Sequence, residues 1–352
     1  MIPASTAQKN APEWQRELAE AVRDPRELLA LLGLDPADLQ DTGGGFPLRV
    51  PRGYVARMRP GDRHDPLLAQ VLPVGAERHD IDGFVSDPVA DRDAMARPGV
   101  LHKYHGRVLL VTTGACGIHC RYCFRREFPY RDANPRPAAW HEALEYVAAR
   151  PEVEEVILSG GDPLSLADAT LADLAGRIAA IGHVRTIRLH TRMPVVLPAR
   201  VDCRLCAWLA DTPLEKVVVL HANHAAELDN NVAAACRRLA GAGATLLNQS
   251  VLLRAVNDTA NDLATLSRRL FACGVLPYYL HLLDPVRGAA RFDVPVEAAR
   301  SLLSEMAGRL PGYLVPRLVR EEPGRPGKTP IAHRWESLPA RRDQVQGGSR
   351  TP

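Results

Sequence analysis

Between residues 107 and 281 the chain repeats one unit six times, a short apolar run of strand character followed by a longer stretch with helical spacing. The runs are RVLLVTT from Arg107, EVILSGG from Glu155, RTIRLHT from Arg185, KVVVLHAN from Lys216, ATLLNQS from Ala244 and LPYYLHLL from Leu276. After the first gap their starts fall about thirty residues apart, room for one strand, one crossover helix and two short loops. LADLAGRIAAIG, NVAAACRRLAGAG and LATLSRRLFACG read as intervening helices, each stopped by a glycine. Strands linked in this way lie parallel, in either an open doubly wound sheet or a complete or partial barrel.

The polar groups at the ends of these runs favour the barrel. In order they are the cysteine loop, Ser159-Gly160-Gly161-Asp162, His190-Thr191-Arg192, His221 with Asn223 and His224, Asn248-Gln249-Ser250, and His281 with Asp284. A barrel gathers strand C-termini around one mouth, whereas an open sheet spreads them along an edge.

Composition limits the partners. With 352 residues, 46% of them hydrophobic, the chain can bury a full core. A net charge of +3, from 44 basic and 41 acidic residues, is too small for general nucleic-acid binding. The N-terminus shows no secretory pattern and no run is long enough to span a membrane, so a cytoplasmic protein is expected. Residues 1–100 read as an N-terminal helical extension with short patterns such as PRELLALLGL (from Pro25).

Three of the seven cysteines, Cys116, Cys120 and Cys123, form C-x3-C-x2-C directly after the first strand. Structural zinc wants four ligands, and the other close pair, Cys203 and Cys206, lies on a predicted helix elsewhere. With Cys236 and Cys273 this pair is expected to serve as small core residues. Three thiolates from one loop suit a 4Fe-4S cluster with one iron open. Together with Tyr122 before the third cysteine and SGGDPL after the next strand, the motif resembles that of the radical S-adenosylmethionine (SAM) enzymes. The resemblance implies SAM as cofactor, with Ser159, Gly160, Gly161, Asp162, His190, Arg192, His221 and Asn223 around it. Glycine, lacking Cβ, permits close backbone approach to the methionyl group.

Near the C-terminus, REEPGRPGKTP (Arg320 to Pro330) places Lys328 in a Gly/Pro strap. The strap resembles the pyridoxal 5'-phosphate (PLP) segment of lysine 2,3-aminomutases, where such a lysine bonds covalently to the cofactor and must be partly neutral to do so. The resemblance runs from about residue 12 to about residue 335 through CRYCFRREFPY, TRMPVVLPAR, HANHAAELD, LLNQSVLLRAVND, PYYLHLLDPVRGAARF and GYLVPRLV. It looks more specifically like the branch that makes (R)-β-lysine for β-lysylation of elongation factor P, an isomerase acting on free L-lysine. It implies Arg125 on the substrate carboxylate, Asp284 and Glu321 on the distal ammonium, and Lys103, Tyr104, Arg107, Asn248 and Gln249 around PLP. It also implies a functional link to elongation factor P and its lysyl-transferase homologue, and a reducing electron donor such as flavodoxin. The catabolic lysine enzymes carry arginine and aspartate where this chain has Lys103 and Glu321.

The expected architecture is an α/β partial (βα)6 TIM-like barrel over residues 101–310, with the 1–100 extension and a 311–352 segment. That last segment holds a strand, the Lys328 strap and a polar tail, RRDQVQGGSRTP, expected to be disordered. A zinc-linked tetramer of the catabolic kind is not expected. Two alternatives stand beside this reading: a catabolic lysine or glutamate 2,3-aminomutase, and a zinc-stabilised, non-catalytic binding module.

Overall fold

The computed structural model describes residues 11–36, 45–133 and 140–332. Its ten strands are β1 (Met95–Arg97), β2 (Val100–Tyr104), β3 (Arg107–Thr113), β4 (Glu155–Gly160), β5 (Thr186–Thr191), β6 (Glu215–Leu220), β7 (Ala244–Val251), β8 (Leu276–His281), β9 (Arg317–Arg320) and β10 (Thr329–Pro330). They form one sheet in unbroken sequence order. Pairing is parallel from β3 through β9 and antiparallel at the two ends, β1–β2–β3 and β9–β10. The six expected strands are β3 to β8; β1, β2 and β10 carry too few residues to announce themselves as a pattern.

Sequential order decides between the two α/β architectures. Right-handed crossovers that never reverse direction put every helix on one face of the sheet. The twisted sheet then curls around its other face, which becomes a lumen. Residues alternate accordingly: on β5, Ile187, Leu189 and Thr191 are buried beneath the helices while Arg188 and His190 point the opposite way. The helix Asp168–Ala179 buries Leu171, Leu174, Ala175 and Ile178, the i, i+3, i+4, i+7 face of an amphipathic helix. Asn230–Gly241 is N-capped by Asp229 and Ala260–Ala272 by Thr259, each cap contributing about 1 kcal/mol. Gly243 and Gly274, after those two helices, take φ of +86° and +78°. That is the left-handed conformation their position after a helix C-terminus calls for.

The barrel does not close through its backbone, because β1 and β10 do not pair. Side chains span the gap instead: Tyr104 and Lys103 of β2 both reach Glu321, just beyond β9. The N-terminal residues form short helices, including Glu13–Ala19 and Pro25–Leu31. Their Trp14 and Leu28, with Tyr54 and Leu67, share one core with Leu110, Leu158, Leu189 and Leu220 of the barrel. Cys236 and Cys273 are buried as expected, but Cys203 is exposed at the first turn of its helix and Cys206 is half-buried. The polar tail expected to be disordered lies outside the described residues. No helix among the described residues is long and apolar enough to cross a membrane.

Candidate active site

The cysteine loop leaves β3 and is pinned at once to the end of β4. Gly161 N donates to Thr113 O at 2.7 Å, and Asp162 N donates to Ala115 O at 2.8 Å. A Cβ on Gly161 would lie 2.3 Å from Ala115 O, and one on Gly160, at φ +121°, 2.5 Å from Thr113 O. Both glycines are therefore demanded by the chain's own backbone. Gly161→Ala is expected to lower unfolding free energy by about 1–3 kcal/mol; denaturant melts of the two proteins measure it, and an unchanged midpoint would mean that the loop can move aside.

Asp162 connects β4 to β5. Its carboxylate accepts from Thr191 Oγ1 (2.7 Å) and from the backbone N–H groups of Arg192 (2.7 Å), Met193 (3.1 Å) and Leu164 (3.0 Å). Four internal donors occupy it, so its visible task is to hold two strand ends together. Asn223 is similarly engaged: its Nδ2 donates to Gln70 Oε1 and Tyr122 Oη, and its Oδ1 accepts from Val251 N. His221 stacks on Tyr122 with Nε2 3.1 Å from its hydroxyl. Burial, reinforced by Arg192, pushes the His221 pKa down to about 3.

Cys120 lies close enough to the other two thiols to raise their pKa. Burial pushes Cys116 up, with Cys123, Asp162 and Cys120 adding to it; burial and Cys120 bring Cys123 to about 11. Among the described residues no three His, Cys, Asp or Glu side chains converge tightly enough to hold a single metal ion. A cluster that bonds each thiolate to a different iron needs neighbouring thiols, not convergent ones. The cationic Arg192, with Nη1 2.7 Å from Cys120 Sγ, adds the favourable electrostatics that a thiolate set requires.

Inside the lumen the charged groups form a chain. Lys328 Nζ donates to Glu321 Oε2 at 2.6 Å, and Tyr104 Oη donates to the other Glu321 oxygen. Lys103 Nζ is 3.7 Å from Glu321, 2.7 Å from Asp91 Oδ1 and 2.7 Å from Val89 O. Arg125 Nε donates to Asp91 Oδ2 at 2.7 Å, and its Nη1 to Ser159 Oγ at 3.2 Å. Against the cost of burial, Arg125 and Lys103 hold the Asp91 carboxyl below the ordinary range, and Lys328 does the same for Glu321. Asp284 differs: its carboxylate makes no hydrogen bond or ion pair among the described residues, and burial pushes its pKa up to about 7. His190 and His281 are held neutral by burial and by nearby cations, Lys328 among them.

Asn248 and Gln249, expected side by side at PLP, are separated by the strand's period of two. Asn248 is buried on the helix-facing side of β7 with both amide atoms bonded to Ala222, so the structure removes it from the lumen. Gln249 points the other way and remains available. Arg107 places its guanidinium 4.6 Å from the Tyr104 ring centroid with no acid paired to it among the described residues, leaving a cation suited to an anionic group.

Comparison with known proteins shows the family. The Radical SAM superfamily model matches residues 110–202, which hold the cysteine loop, both pinned glycines and Arg192. L-lysine 2,3-aminomutase of Escherichia coli (strain K12) is 47% identical over 323 residues, covering 91% of this chain and 94% of that protein. The chain belongs to the lysine 2,3-aminomutase family. The L-lysine 2,3-aminomutases of Haemophilus influenzae and Buchnera aphidicola are 43% and 38% identical, covering 94% and 93% of this chain and 98% of each of those proteins. As a member of this family the chain is a radical SAM isomerase, with a 4Fe-4S cluster and SAM as cofactors.

Family resemblance by sequence did not single out Asp91, Gln70 or Glu227. Glu227 sits within HANHAAELD and offered a motif-level signal, whereas Gln70 offered none. Asp91 follows Ala90, whose φ of +52° is uncommon for a residue with a side chain and is invisible in sequence.

Proposed function

We propose that the protein converts free L-lysine to (R)-β-lysine with PLP as a third cofactor, and that the product serves β-lysylation of elongation factor P. The observation that carries this reading is the division of charge in the lumen. One buried guanidinium, Arg125, is held by Asp91, while one acid, Asp284, makes no ion pair among the described residues. A substrate bearing a carboxylate and a remote ammonium complements both.

Each of the chain's own residues takes a role set by its partners. Arg125 takes the substrate carboxylate on its Nη side while Asp91 and Ser159 fix its orientation. Asp284 accepts the distal ammonium. Glu321 already binds an ammonium, that of Lys328, and Glu321 Oε2 is the nearest base to take a proton from Lys328 Nζ. Arg107 and Gln249 are the groups that would meet the cofactor's phosphate and ring substituents. When bound, the cluster with SAM supplies a hydrogen-abstracting radical and PLP supplies electron delocalisation that lowers the barrier to nitrogen migration. The neutral imidazoles of His190, His221 and His281 line this space without adding charge.

Asp284 makes binding pH-dependent. Its carboxyl is raised to about 7 in the free protein and must be ionised to hold an ammonium. kcat/KM for lysine is therefore expected to fall about tenfold per pH unit below 7, as the acid takes up its proton. Asp284→Asn should flatten that limb of the profile; a limb that survives the substitution belongs to another group.

The deciding experiment is anaerobic incubation of reconstituted protein with lysine, SAM, PLP and a reductant, followed by chiral analysis. (R)-β-Lysine is the expected product; its absence with cluster and PLP both present overturns the substrate assignment, and turnover of glutamate instead would assign the other acid-base pairing. A colourless protein containing zinc would favour a non-catalytic module. Supplying the product to elongation factor P with its lysyl-transferase homologue should add one β-lysyl group by mass, and no addition would sever that link.

A further inference from the structure

Arg192 is a buried cation with an unusual set of partners. Its Nη1 donates to Cys120 Sγ and to Tyr122 Oη, each at 2.7 Å. Its Nη2 donates to Gln70 Oε1 and to Glu227 Oε2, each at 2.8 Å. Its Nε is buried and has no acceptor among the described residues. Glu227, wholly buried, accepts in addition from Asn223 N (2.8 Å), His224 N (3.0 Å) and Gln70 Nε2 (3.2 Å). Side chains from the N-terminal segment, the cysteine loop and the segment after β6 thus fix one guanidinium against one cysteine sulfur. An Asp162-pinned backbone at Arg192 N prevents its retreat.

We propose that Arg192, partly neutralised by Glu227, sets the reduction potential of the iron–sulfur cluster through its N–H···S bond to Cys120. The proposal rests on the three cysteines holding that cluster. An extra electron on a cluster spreads onto its sulfur ligands, and a charge-assisted donor at one of them stabilises the reduced form. Arg192 and Glu227 are both buried, so the effect is little screened. Glu227 acts with the opposite sign, since its negative charge tempers the cation it holds. The pair therefore adjusts the potential in either direction by changes remote from substrate, and outer partners of this kind are what tune metal sites generally.

The test is a redox titration of the full chain, reconstituted with iron and sulfide, monitored by electron paramagnetic resonance with and without SAM. The wild-type signal of the reduced cluster tests the cluster itself; its absence refutes the cluster and leaves Arg192 without this role. Given that signal, Arg192→Gln is expected to cut the reduced-to-oxidised ratio at fixed potential about tenfold, which is about 59 mV for a one-electron couple. Arg192→Lys, keeping the charge, should shift it less than half as far, and Glu227→Gln should shift it upward. Unchanged titration of Arg192→Gln, equal shifts for the two Arg192 variants, or a shift seen only with SAM bound would each overturn the proposal. If these variants lose iron, Gln70→Glu decides: it leaves Arg192 in place and adds a carboxylate beside it, so the potential should fall, and an unmoved potential refutes the tuning role.

Discussion

Lys328→Ala protein, reconstituted without oxygen, is expected to retain its iron while losing both the pyridoxal absorbance band and lysine turnover. The expected fall in kcat is at least about a thousandfold, because the residue proposed to bond to the cofactor is replaced by one that cannot. The geometry explains why the cluster should survive. Lys328 sits in the loop between β9 and β10, where its ammonium touches Glu321, whereas the cysteines come after β3. Removal of the lysine frees Glu321 to pair with Lys103, 3.7 Å away, so the gap between β2 and β9 should stay clasped. A variant that keeps the pyridoxal band would place the covalent bond on another amine. Loss of iron together with the band would mean that the strap supports the whole lumen.

Arg125 carries the second large effect. Arg125→Lys keeps a positive charge and gives up the fork, so two charge-assisted hydrogen bonds to a carboxylate weaken or vanish. At about 1.5–3 kcal/mol each, kcat/KM should drop by roughly 10²–10⁴. Arg125→Ala confounds this measurement, because it strands Asp91 in a buried site with Lys103 alone and costs about 3–5 kcal/mol of stability. Asp91→Asn separates the two contributions. It leaves the guanidinium in place but removes the ionic acceptor at Nε, so KM for lysine should rise about tenfold while kcat changes little. If Arg125→Lys leaves kcat/KM within threefold of wild type, the carboxylate is held elsewhere.

The repeating βα units were legible because each rests on local chemistry: apolar alternation on β5, caps at Asp229 and Thr259, glycines at 243 and 274. The short edge strands β1, β2 and β10 were not legible, since two to five residues hold no measurable period and gain their pairing from strands far along the chain. Cys203 shows the limit at the level of one residue: its helix was foreseeable, but which face of that helix meets the core depends on the neighbours packed against it.

The site divides in the same way. By itself the sequence determined the cysteine spacing, the Lys328 strap and the presence of Arg125, Asp284 and Glu321, because reactive groups must be written into the chain. Only the tertiary structure decided what those groups meet. It gave Arg125 an acid, Asp91, from 34 residues upstream, turned Asn248 away from the lumen while leaving Gln249 facing it, and joined Tyr104 to Glu321 across 217 residues. It also showed that the paired glycines serve the packing of β4 against the cysteine loop. Electrostatics and close contact act through space, so partners distant in sequence become neighbours only once the barrel has curled.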